Sequence, residues 1–133
     1  MTHLNRFELV LPQVQYTARE KQAIVNCLMG MMQIDNNVAN KEVDAMQEIF
    51  NFIHVTEDDF NAATDFKSRE QVISTLKGMD DVKLYSFGRF LASILCADGV
   101  VDPCEHKMWQ MIYSELNLKN VEEKYERQFS KWR

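Results

Sequence analysis

Glycine and proline are scarce, with four and two in 133 residues. An all-β chain needs those residues for its tight turns, so their shortage favours helices. Cysteine is sparse too: Cys27, Cys96 and Cys104 are odd in number and show no C-x-x-C spacing. That excludes a disulfide framework and a zinc ribbon and fits a reducing compartment. Positive charge is short, with 15 Lys and Arg against 20 Asp and Glu, for a net charge of −5. Such a balance opposes the phosphate attraction on which nucleic-acid binding rests, so no nucleic-acid partner is expected. Long apolar runs are missing as well. Charged residues interrupt every hydrophobic segment before the ~20 residues needed to span a bilayer, and Met1 to Leu11 lacks the basic, apolar and small-residue succession of an export signal. These absences predict a cytoplasmic protein with no membrane association.

What is present is an ordinary globular composition, 46% apolar and 26% charged, in a length that suits one hydrophobic core. The apolar residues recur at helical spacing. Thr17 and Glu20 form a capping-box pattern ahead of Ile24, Cys27, Leu28 and Met31, which predicts a helix over 18–34. Asn40 is placed to cap a second helix with Val43, Met46, Ile49, Phe50 and Ile53 on one stripe. A short acidic helix follows Thr56, and Ser68 with Gln71 opens another. Gly78, Asp80 and Asp81 read as a turn before a broadly apolar central helix over 82–97. Pro103 starts the next helix behind the cap Asp102, with Met108, Trp109, Ile112 and Leu116 facing inward until Asn117 or Asn120. A last helix from Val121 carries Tyr125, Phe129 and Trp132, read as core rather than binding surface. Pro12 and the aperiodic stretch before it predict an extended arm over 1–16, ahead of a single domain over 17–133.

A shift of 63 residues superposes much of the chain on itself. Ile24 meets Phe87, Leu28 meets Leu91, Met31 meets Ile94, Ile49 meets Ile112 and Ile53 meets Leu116, with no gap across the intervening loop. Helical periodicity alone does not fix a loop length, so the match indicates duplication. The expected architecture is all-α, a compact bundle of six to seven helices containing two hairpins related by a pseudo-twofold axis, since neither hairpin could bury its apolar stripe alone.

Each unit carries Asp-x-x-Val-x-x-x-Glu between its helices: Asp35, Val38 and Glu42, then Asp98, Val101 and Glu105. An aspartate at a helix C-terminus faces the negative end of the helix dipole, at a cost of about 0.3–1 kcal/mol when exposed. Helix stability therefore does not account for Asp35 or Asp98. Two readings stand. In one the aspartates accept loop amides as Asx-turns and Glu105 completes a capping box with Asp102. In the other the acids of both loops converge on a divalent cation, for which hard oxygen ligands suit Ca²⁺, Mg²⁺ or Mn²⁺. Unit one favours the second reading, because Ala39 stands where unit two has Asp102 and is a poor cap, yet Glu42 is still there. Asp102 and His106 are additional candidate ligands, and His106 with Cys104 nearby adds zinc to the ions to be weighed. The loops are not EF-hands, since the sixth and twelfth positions are Asn40 and Met46 in one and Pro103 and Trp109 in the other. No nucleophile elbow, zincin helix or phosphate-binding glycine loop occurs, so no enzyme is expected.

The segment Leu91-Ala92-Ser93-Ile94-Leu95-Cys96-Ala97-Asp98-Gly99-Val100-Val101-Asp102-Pro103-Cys104-Glu105 resembles the TerB-like family, in which one helix ends in Ala-Asp-Gly and a glutamate opens the next. Gln33 to Val38 with Glu42 looks like a first copy of the same signature, with Asn36 in place of the glycine. The resemblance runs from about Thr17 to Leu118. It implies a helical bundle, an association with tellurite resistance and related stress responses, and a role for Asp35, Glu42, Asp98 and Glu105 in metal binding. The rival expectation is a structural module that docks a protein partner, a second copy of itself included, and whose acids only shape loops.

Overall fold

A computed structural model describes residues 11–33, 40–96 and 103–130, with only the backbone described for 33, 40–42 and 127–130. Seven helices and no strand occur among these residues: α1 (Ala18–Gln33), α2 (Asn40–Phe52), α3 (Glu57–Ala62), α4 (Arg69–Lys77), α5 (Asp81–Leu95), α6 (Pro103–Glu115) and α7 (Leu118–Ser130). A single 3-10 turn, Ala63–Asp65, extends α3. None of the helices is long and apolar enough to cross a membrane.

The caps are those that the sequence chemistry dictates. Thr17 Oγ1 accepts from the Glu20 amide at 3.1 Å while Glu20 Oε1 accepts from the Thr17 amide at 2.9 Å. Thr56 and Asp59 repeat this reciprocal box ahead of α3, and Ser68 accepts from the Gln71 amide ahead of α4. Three expected starts move. The helix α2 begins at Asn40 itself rather than one residue after it. Asp80 is not merely a turn residue: its carboxylate accepts from the Lys83 amide at 3.0 Å, so α5 begins at Asp81. And α7 begins at Leu118 rather than Val121, because Asn117, at φ 54°, turns the chain at once and buries Leu118 completely.

The duplication reads directly from the helix boundaries. Both ends of α2 fall 63 residues before the ends of α6, and α1 and α5 begin at the same offset. Thr17 and Asp80, the caps of α1 and α5, are equivalent positions. So are His54 and Asn117, the two non-glycine residues with positive φ among the described residues. The packing is reciprocal: α1 lies against α6 while α2 lies against α5, and each first helix also packs on its own third, α1 on α3 and α5 on α7. At the start of α1 and α5 the equivalent residues Glu20 and Lys83 meet, with Lys83 Nζ donating to Glu20 Oε1 at 2.8 Å. Contact between equivalent positions is what a twofold relation produces near its axis. Among the described residues helix α4 has no counterpart, and it lies on α1.

The core runs through α1 and α5. Ile24, Leu28 and Met31 on one helix and Phe87, Phe90, Leu91 and Ile94 on the other are inaccessible to solvent, which fits the central position expected of α5. Leu11 and Tyr16, in the helix-free segment before α1, are also buried in this core.

Candidate functional site

The sequence pointed to the two interhelical acidic loops. Asp35, Asp98 and Asp102 lie outside the described residues, and so do Val38 and Val101. Glu42 and Glu105 occupy the third position of α2 and of α6, so the duplicated frame gives both acids the same place in a first helical turn. The Glu42 side chain is not described. Glu105 is 2% exposed, a carboxylate enclosed at the start of a 13-residue helix, where the amide ends of the backbone favour negative charge.

His106 does not share that environment. One residue on is about 100° further round a helix, and His106 is exposed with its ring stacked near that of Trp109, centroids 5.7 Å apart. Trp109 in turn stacks near Tyr113 at 4.9 Å. Histidine, tryptophan and tyrosine thus form a ladder along one side of α6 while Glu105 turns into the protein. Cys104 is exposed in the same first turn. Among the described residues no three His, Cys, Asp or Glu side chains stand together as a metal-binding group.

The second unit holds a polar network that the sequence did not disclose. Glu122 of α7 accepts from Arg89 of α5 at 2.8 Å and from the Tyr113 hydroxyl of α6 at 2.6 Å, tying three helices together. Partial desolvation and the bond to this carboxylate hold the Tyr113 phenol up to about 12. The position equivalent to Arg89 in the first unit is Asn26, whose amide donates to the Ala63 carbonyl at 2.8 Å. Both units therefore fasten their first helix to the region of their third from the same register.

Sequence reasoning also missed a cleft of about 300 Å³ between α1, α4 and α6, lined by Cys27 and Gly30, by Phe66 and Arg69, and by Met108 and Ile112 among others. The Cys27 thiol faces it from within the core, and burial pushes that thiol up to about 12, which makes it a neutral wall and no nucleophile. A signal for the cleft does exist in the repeat. Cys27 and Gly30 align with Phe90 and Ser93, so the first unit is smaller where the second is filled.

Comparison with known proteins agrees with this architecture. A crystal structure of a protein of unknown function from Porphyromonas gingivalis is similar to the chain with a TM-score of 0.66 at 17% identity, over 86% of this chain and 98% of that one. At that identity the likeness concerns the fold. No curated protein matches the chain significantly. The family described as "Tellurite resistance protein TerB" matches residues 21–128, which takes in α2 to α6 whole and nearly all of α1 and α7. With most of its length matched, and with two hairpins that repeat one acidic signature, the chain belongs to the TerB family.

Proposed function

We propose that this chain is a non-catalytic cytoplasmic TerB domain that binds a divalent cation through its two acidic interhelical loops, within the tellurite and stress responses for which its family is named. The observation that carries this reading is the placement of the acids in the duplicated frame. The hairpin helices coincide under one offset, and Asp-x-x-Val-x-x-x-Glu is kept in both units although the capping residue is not. An acid retained where its capping partner is lost calls for a role other than capping. Oxygen donors of this kind suit Ca²⁺, Mg²⁺ or Mn²⁺.

Calorimetric titration of the metal-free protein with Ca²⁺, Mg²⁺, Mn²⁺ and Zn²⁺ tests the reading. Saturable heat with one of the hard cations is expected, lost in both Asp35→Ala and Asp98→Ala. Silence in all four titrations removes it. A second reading, a module that docks a protein, draws on Met111, an apolar side chain 41% exposed on α6. It predicts a dimer on size exclusion that Met111→Lys dissociates.

A further inference from the structure

The two reciprocal interfaces of the repeat are closed differently. Between α2 and α5, Phe52 and Phe90 meet edge to face, with ring centroids 6.0 Å apart, and both are buried. The repeat offset carries these two positions to Glu115 and Cys27 at the interface of α6 with α1. Two rings are thus replaced by a carboxylate and a thiol, which puts less side-chain volume at this joint. Helix α4 lies over α1 on this side and lines, with α1 and α6, the cleft of about 300 Å³. A cleft of this volume lies at the lower end of the range of small-ligand sites.

The chemistry of the walls narrows the occupant. Val72 and Ile73 of α4 and Met108 and Ile112 of α6 supply apolar surface. Gly30 adds a stretch of bare helix, where a Cβ would meet only the Met108 methyl at 3.6 Å. The polar groups gather at the mouth. Arg69 donates to Glu115 at 3.2 Å, with both side chains well exposed. Ser68 accepts from the Gln71 amide and keeps its hydroxyl proton to donate. Asn26 is already committed to the Ala63 carbonyl. An exposed pair such as Arg69 and Glu115 contributes little, so another carboxylate can replace Glu115 on the guanidinium at small cost. A guanidinium offers a fork that matches a carboxylate.

We propose that this cleft binds a small amphipathic carboxylate, its apolar body between α1, α4 and α6 and its head on Arg69 and Ser68. The site is separate from the acidic loops and does not depend on the cation reading.

Octanoate and the neutral octanol serve as probes, followed by calorimetry and by amide chemical shifts of the full chain. Saturable octanoate binding is expected, with shifts concentrated on α1, α4 and α6. Arg69→Ala weakens octanoate about ten-fold and octanol less than about two-fold, because only the former loses a charge-assisted bond. Gly30→Leu, which plugs the cleft, abolishes binding of both. Should that variant not fold, Cys27→Phe, which rebuilds half of the aromatic pair found at the other interface, gives the same readout. No saturable octanoate binding, undiminished binding in a folded plugged variant, or equal losses for both probes on Arg69→Ala overturns the proposal.

Discussion

The first unit, α1 to α3, and the second, α5 to α7, share one backbone plan and differ in how its joints are filled. Where the second unit puts Phe90 against Phe52, the first has Cys27 and the second's own Glu115. Where the second ties its helices through Arg89, Glu122 and Tyr113, the first uses Asn26 and Lys21 on backbone carbonyls. Duplication thus fixes helix length, loop length and the reciprocal packing. Divergence of side chains then decides which joint is rigid and which is hollow. The largest test of this contrast is truncation of the two equivalent residues. Phe90→Ala removes a ring with no solvent exposure from the joint that it closes, and a loss of about 3–5 kcal/mol is expected. Cys27→Ala, at a joint already hollow, costs about 1 kcal/mol or less. Urea unfolding of the two variants side by side measures the difference, and equal losses would break the comparison.

The next contrast sets the ion pair near the pseudo-axis against the pair at the cleft mouth. Glu20 and Lys83 have side chains 13% and 16% exposed, and Glu20 also holds the Thr17 amide. Lys83→Met leaves that carboxylate enclosed without its cation, with an expected cost of about 2 kcal/mol. Arg69→Met breaks a pair exposed by 48% and 39% and costs about 0–1 kcal/mol. Both values come from the same unfolding experiment, and the ranking is the prediction.

Local chemistry made much of the fold legible in the sequence. Thr17 with Glu20, Thr56 and Ser68 announced three helix starts, and the apolar stripe of α5 announced the central helix, because caps and periodicity act within a few residues. The offset of 63 residues announced the boundaries of α6 from those of α2. The start of α5 was misread because Gly78, Asp80 and Asp81 are equally good turn residues, and only the capping bond to Lys83 distinguishes the two uses. The start of α7 was misread because a left-handed Asn117 makes a junction shorter than a helix connection usually is. Of the acidic site, only a register was legible: Glu42 and Glu105 share one, while the aspartates lie outside the described residues. The cleft was out of reach for a different reason. It needs α4 to lie against α1 beside α6, and no local pattern encodes where an unpaired helix will settle.

Alkaline titration separates the units by their tyrosines. Burial pushes the Tyr16 phenol, ahead of α1, up to about 12, and partial burial with the bond to Glu122 does the same for Tyr113 of α6. Unfolded phenols ionise near 10. Above that pH the unfolded chain releases protons that the native protein still holds, so stability present below pH 10 falls as pH climbs toward 12. Urea midpoints across this interval are expected to drop steadily. Glu122→Gln, which keeps the shape but removes the charge, brings the Tyr113 ionisation down and leaves that of Tyr16 in place, as read from tyrosinate absorbance. A uniform shift of both phenols would deny that the network of the second unit acts on its own.

The smallest contrast concerns the two equivalent turns. The helix α2 ends with His54 at φ 59°, where the Val55 amide returns to the Phe50 carbonyl at 2.9 Å and the His54 amide to that of Asn51 at 3.4 Å. The helix α6 ends with Asn117 at φ 54° and its amide on the Ser114 carbonyl at 3.1 Å. Left-handed backbone crowds the Cβ of any L-residue, and asparagine tolerates it better than histidine does. Glycine at either position relieves the strain, while the Lys21 contact at the first turn survives, because it is made to the His54 carbonyl at 3.0 Å. His54→Gly is therefore expected to stabilise by about 1 kcal/mol and Asn117→Gly by about half as much, both offset in part by the added freedom of the unfolded chain. Thermal unfolding resolves the order. If Asn117→Gly gained more, its side chain would have to be strained by something other than the backbone angle shared by both units.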